Sequence, residues 1–213
     1  MSATVHARTA GVLYLVIAVL SAFAIAYVPS VIVVDGDATA TAANLMAHRG
    51  LFGMSVVANV IVMLTEIVLS VMLFAIFKPV SRTLSLIALV SRLTIVVVMA
   101  VELLIYIMPM VLHGDARVTL ALFEAHRYGI YVWDMFFGFH LAVLGCLVLR
   151  SGYFPRPLGF ALVLGSAGYF FKGLSEVTFV ESAEVAMVVT GLLVVATIAE
   201  LTFALWLLIR RGR

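Results

Sequence analysis

Charge is what this chain has least of. Only 11% of its 213 residues are charged, against 65% hydrophobic, and the formal net charge is +2, an apolar excess well beyond that of a soluble domain. No nucleic-acid partner is expected, and so small a net charge says little about any other. The single cysteine, Cys146, lies within an apolar run, which excludes an internal disulfide and leaves the redox compartment unread. No cleavable signal stands at the start, because the first apolar stretch continues from Ala10 to about Val28 and is long enough to span a bilayer. There is no Gly-rich phosphate loop following a strand, and no nucleophile elbow of the Gly-x-Ser-x-Gly form. What remains is an integral membrane protein.

Six spans are expected, roughly Ala10–Val28, Leu51–Phe77, Leu84–Met108, Tyr128–Leu149, Leu158–Val177 and Val185–Ile209, about 19 to 27 residues each, where a bilayer core needs ~20. They form one transmembrane domain over residues 1–213. The turns Lys78–Arg82 and Arg150–Pro157 are short and basic, so Arg8, Lys78, Arg82, Arg150, Arg156, Arg210, Arg211 and Arg213 share one side. Only Arg49, Arg117 and Arg127 lie on the other. By the positive-inside rule both termini are cytoplasmic.

The longer outer connections carry an internal repeat. Gly36-Asp37-Ala38 and Ala47-His48-Arg49 recur as Gly114-Asp115-Ala116 and Ala125-His126-Arg127, with Thr41 matching Thr119 and Ala43 matching Ala121, eight identities in a fourteen-residue window. Both windows read as short helices at the outer interface, with Asp37 or Asp115 capping the start and His-Arg near the end. The expectation is a duplication, 36–108 and 114–186, of an outer helix plus a transmembrane hairpin, in copies of the same orientation. Two similar caps produced by composition are the alternative.

The few charges inside the spans then stand out. Using each span's basic anchor as a ruler at ~1.5 Å per residue, Arg92 lies ten residues from Arg82, His140 ten from Arg150, Glu200 ten from Arg210 and Glu66 twelve from Lys78, so all four share a layer near the midplane. Asp134 and Lys172, each sixteen residues from its anchor, make a second layer above it. Glu102 and Glu176 belong near the outer interface. A guanidinium cannot shed its charge in lipid, and each ionised side chain at the centre costs about 2.5 to 3.5 kcal/mol. Arg92 is therefore expected to bridge Glu66 and Glu200 with His140 nearby, and Asp134 to face Lys172. At the repeat offset Glu66 corresponds to Leu144 and Arg92 to Phe170, so the charged set is not merely a copied scaffold.

The chain resembles the DUF4386 family of bacterial membrane proteins along nearly its whole length. The resemblance rests on Gly11-Val12-Leu13-Tyr14-Leu15, Gly50-Leu51-Phe52, Lys78-Pro79-Val80, Ser91-Arg92-Leu93 and His126-Arg127-Tyr128-Gly129, then on Phe136-Phe137-Gly138-Phe139-His140, Arg150-Ser151-Gly152-Tyr153-Phe154-Pro155-Arg156 and Glu200-Leu201 through Leu208. It implies a polytopic protein of the bacterial cytoplasmic membrane without an assigned activity. It also implies that Glu66, Arg92, His140 and Glu200 occupy family motif positions, while Asp134 and Lys172 are not placed by it.

Two classes of function survive. In one, the layer binds or transports a small anionic or amphiphilic ligand, or protons, with Arg92 holding the anion and Glu66, Glu200 or His140 changing protonation. In the other, the protein is a non-catalytic accessory whose buried charges fix helix packing, and its outer helices meet a membrane partner. A homodimer is compatible with either, and no cofactor is implied. An intramembrane metal-dependent hydrolase is a less favoured reading, since only His140 lies inside a span and Arg92 in the same layer would repel the cation, although Glu66 and Glu200 could complete such a site. A haem would want two axial histidines, and a Schiff base at Lys172 has no supporting motif. The aromatic run of Tyr128, Tyr131, Trp133, Phe136, Phe137 and Phe139 could stack a flat ligand, but reads rather as an interfacial belt passing into helix packing, and Gly138, Gly145, Gly159, Gly165 and Gly168 as points of close helix approach.

Overall fold

A computed structural model describes residues 3–112, 115–180 and 182–209, with side chains from residue 6 onward. The repeat position Gly114, Glu181 and the terminal arginines Arg210, Arg211 and Arg213 lie outside the described residues. Among the described residues the chain is helical, without strands. The helices are α1 (Ala3–Ser21), α2 (Val28–Ile32), α3 (Ala38–Ala47), α4 (Arg49–Phe77), α5 (Arg82–Leu112), α6 (Ala116–Ser151), α7 (Arg156–Val177) and α8 (Ala183–Ile209). A π-helical stretch, Ala22–Tyr27, joins α1 to α2 without a break. Six helices are long and apolar enough to cross a membrane: 6–32, α4, α5, α6, α7 and α8. The architecture is that of a multi-pass membrane protein.

The six long helices form a closed ring in chain order. Each packs on its sequence neighbours, and α8 returns to α1. The closing contact depends on Gly11, where an added Cβ would lie 2.8 Å from the Ala204 carbonyl oxygen. The α6–α7 contact depends likewise on Gly138, whose Cβ would meet the backbone of Ser166 and Phe170 at 2.8 Å. Small residues let backbones meet where lipid supplies no hydrophobic drive for association. Large apolar side chains such as Val57, Leu64, Val97, Leu104, Phe160 and Ile198 stand on the outside of the ring.

Short local devices set the helix ends. Asp37 and Asp115 cap α3 and α6, their carboxylates accepting from the Ala40 and Val118 amides at 2.9 Å, which satisfies donors the helix leaves open. Gly152, at φ 62°, closes α6 in the left-handed region. Ser85 donates to the Phe74 carbonyl at 3.1 Å and ties the α4–α5 hairpin together.

The two outer helices of the sequence reading differ. α3 is a separate ten-residue helix that ends at His48, whereas its counterpart from residue 116 is the beginning of the 36-residue α6 and continues straight into the fourth span. The cause is local. Thr41 exchanges hydrogen bonds with the Val34 backbone, and the Asn44 amide donates to the Ile32 carbonyl, holding α3 against the end of α2. At the repeat offset Asn44 becomes Leu122, which cannot make that tether.

Candidate functional site

Arg92 is the largest fully buried side chain among the described residues, 1% exposed, and four of its N–H groups have partners. Nε and Nη2 donate to Glu66 Oε2 at 2.5 Å and Oε1 at 3.1 Å, a bidentate pair between α4 and α5. Nη1 donates to the Tyr14 hydroxyl at 3.3 Å and to His140 Nε2 at 3.1 Å. Because the Ala88 carbonyl, 2.9 Å from His140 Nδ1, can only accept, the imidazole proton is on Nδ1 and Nε2 is the acceptor for Arg92. The guanidinium also lies 4.9 Å from the Tyr14 ring centroid and 6.0 Å from that of Phe137, near enough for cation–π attraction.

Glu200 faces the same interior from α8, but its carboxylate is not hydrogen-bonded to Arg92. Tyr169 on α7 lines the same cavity, while the Glu200 Oε1 is buried and has no hydrogen-bond partner among the described residues. Each of the six crossing helices thus sends one polar group to this level: Tyr14, Glu66, Arg92, His140, Tyr169 and Glu200. An unpaired oxygen in such surroundings costs about 1–3 kcal/mol unless something fills the space beside it.

A cavity of about 220 Å³ occupies that space. Arg92, Glu66 and Glu200 stand at its polar end, and Trp133, Phe137 and Tyr169 form an aromatic wall. Trp133 is stacked on Phe137 at 4.7 Å, and Tyr169 meets Phe137 edge-on at 4.9 Å. Trp133 Nε1 is a second buried polar atom without a partner among the described residues. From the charged layer the cavity extends toward the bundle end that carries Asp35 and Arg127, and its wall runs out to Thr197 and Leu201 on the exposed side of α8. Ile25, on the π-helical stretch, lines both this cavity and one of about 240 Å³ at that end, between Tyr106, His126 and Arg127. A π-helical turn widens the helix, and such turns recur at functional sites.

The second layer is an ion pair. Lys172 Nζ lies 2.9 Å from Asp134 Oδ2 and 5.7 Å from the Tyr131 ring. The carboxylate is buried, whereas the lysine is one-third exposed, toward a cavity of about 480 Å³ between α7 and α8. Glu102, expected near the outer interface, is buried against Gly129 with one oxygen unpartnered. No three His, Cys, Asp or Glu side chains among the described residues come together to hold a metal ion.

Sequence reasoning missed Tyr14 and Tyr169 as members of this layer, and weighed Trp133 and Phe137 as a possible stacking surface only to prefer an interfacial belt. Tyr14 carried a usable signal, since its hydroxyl is the first polar tip in the apolar run after Arg8. The α6 run was legible only as a choice between a stacking surface and a belt, and Tyr169 of α7 carried no signal, because a ring in an apolar span gives no sign of whether it faces lipid or a cavity.

The whole of this layer falls within one family match. A protein of Archaeoglobus fulgidus described as uncharacterized is 26% identical over 161 residues, covering 73% of this chain and 83% of its own length. No solved structure matches. The family model described as "Domain of unknown function (DUF4386)" matches residues 9–210, from α1 to the end of α8. The chain belongs to the DUF4386 family.

Proposed function

We propose that the protein binds a small amphiphilic molecule in the cavity beside Glu200, and that the Arg92–Glu66 pair with Tyr14 and His140 is the scaffold that holds the cavity open. One observation carries the reading: Glu200, whose Oε1 is buried without a hydrogen-bond partner among the described residues, lines a largely apolar cavity. A ligand with one polar end and a short apolar body matches such a site, and ~300–1,000 Å³ is the usual range for drug-sized ligands, so the occupant is small. Arg92, already directed at Glu66, Tyr14 and His140, is poorly free to hold an anion. Its buried bidentate pair favours the packing role for that half of the layer.

The reading is tested on a Trp206→Phe background, in which Trp133 is the remaining indole. Titration of the purified protein in nanodiscs with 2-phenylethanol is expected to change Trp133 emission saturably. Thr197→Phe, which fills the cavity wall away from Arg92, is expected to abolish the change. A linear, non-saturating response that Thr197→Phe leaves unaltered overturns the proposal.

We further infer a cytoplasmic membrane location with both termini inside, from the basic residues Lys78, Arg82, Arg150 and Arg156 at the α4–α5 and α6–α7 turns. The matching Asp37 and Asp115 caps support duplication of 36–108 as 114–186, and the ends of α3 and α6 that they cap are read as interfacial. With Cys146→Ala as background, a membrane-impermeant maleimide applied to intact cells should label Ser182→Cys and spare Ser81→Cys. The reverse pattern inverts the topology.

A further inference from the structure

The geometry points to an organic monocation as the ligand class of the Glu200 cavity, a deepening that rests on the amphiphile-binding reading above. Charge accounting at the polar end comes first. Arg92 and Glu66 form a bidentate pair and offset one another. His140 takes a hydrogen bond from Arg92 at Nε2 and gives one to Ala88 from Nδ1, so it presents no charge to the cavity in that tautomer. Of the groups that act on Glu200, namely Tyr169, Arg92 and Glu66, the last two are already matched to each other. Glu200 is thus the single carboxyl at the cavity without a cationic partner, and its Oε1 accepts from nothing among the described residues.

The aromatic lining supplies the other half of cation recognition. Trp133, Phe137 and Tyr169 line the same space as Glu200, joined in one cluster by stacked and edge-on contacts. An ammonium head attracted to aromatic faces and hydrogen-bonded to a carboxylate uses both features, whereas an anion would meet the Glu200 oxygen with repulsion. A neutral alcohol would use the hydrogen bond alone. The apolar remainder of the cavity, from Ile17 to Met99, takes the ligand's hydrocarbon body.

Three probes that share one skeleton separate the possibilities: 2-phenylethylammonium, 2-phenylethanol and 3-phenylpropanoate, each titrated into the Trp206→Phe protein in uncharged nanodiscs. The ammonium should bind at least about tenfold more tightly than the alcohol, as expected when a charge-assisted contact and a cation–π contact replace a neutral hydrogen bond. The carboxylate should bind more weakly than either. Glu200→Gln, which keeps the side chain's shape, should bring the ammonium down to the alcohol's affinity and leave the alcohol within about twofold. Should the alcohol bind saturably while the ammonium binds no better, the cation inference falls and the amphiphile reading stands. If none of the three binds, both fall. Should Glu200→Gln fail to fold, Tyr169→Phe with Phe137→Leu, which keeps the Trp133 reporter, is the second variant, expected to lower ammonium affinity more than alcohol affinity. Equal losses for the two probes overturn the inference.

Discussion

Glu66→Gln removes the charge against which Arg92 is buried. The two side chains are 1% and 5% exposed, and the carboxylate receives two guanidinium N–H groups at 2.5 and 3.1 Å. In the variant one oxygen still accepts, but the amide NH₂ is set against a guanidinium N–H, donor facing donor, and the positive charge loses its match. Removing one partner of a buried pair costs about 3–5 kcal/mol, whereas an exposed pair such as Arg127–Glu124 contributes at most ~1 kcal/mol. For a chain of this length each kcal/mol moves the melting temperature by about 2–4 °C, so the loss should be roughly 6 to 20 °C. The assay is the fraction of GFP-tagged protein that stays monodisperse in mild detergent after heating. Glu66→Leu combined with Arg92→Met should recover most of the loss, because an apolar pair of similar volume replaces a buried ion pair at little cost. If Glu66→Gln alone melts within about 2 °C of the unaltered protein, less than one kcal/mol is at stake, and the division of the layer into a scaffold pair and a ligand-facing carboxyl is wrong.

Other substitutions probe the rest of the ring. Gly138→Val sets a branched Cβ against the Ser166 and Phe170 backbone, 2.8 Å away, and should cost about 1–3 kcal/mol as overpacking, read as a lower melting temperature and a widened elution peak. His140→Phe strands an Arg92 N–H and should lower stability by about 1–3 kcal/mol, with the alcohol probe still bound. Lys172→Met leaves the buried Asp134 carboxylate unmatched, so it should destabilise more than Asp134→Asn, which removes the charge at its source; the order of the two melting temperatures checks this.

Depth was legible in the sequence and direction was not. Counting residues from Lys78, Arg82 and Arg150 places Glu66, Arg92 and His140 at one level, and the structure has Arg92 touching both of the others. The same count sets Asp134 level with Lys172, which lie 2.9 Å apart. Glu200 is at the expected level too, yet Arg92 directs its N–H groups to Glu66, Tyr14 and His140 and none to Glu200. A rise of ~1.5 Å per residue gives height along an axis, but which way a side chain points around that axis depends on helix rotation, and rotation is decided by contacts such as Gly138 on Ser166 and Gly11 on Ala204. Cavities share that dependence, since they exist only between helices. The straight entry of α6 was not legible either: Asn44, which tethers α3 to Ile32, stands at the repeat offset opposite Leu122, which has no side-chain donor.

The hairpin made by α4 and α5 also bears on how the chain enters its membrane. Glu66 and Arg92 sit on opposite arms of one helical hairpin whose connection is only a few residues long. They can meet as soon as those two helices lie side by side, before any later helix has been synthesised. Carried in separately, each would meet the insertion penalty of about 2.5 to 3.5 kcal/mol; carried in together, they present the translocation machinery with a salt bridge already neutralised. Glu200 has no such companion on its own hairpin at that level and reaches the interior only with the final helix. Biogenesis would then run in two stages, a self-sufficient hairpin first and the completed chamber last, and a ribosome-stalled chain ending after α5 should already be stably embedded.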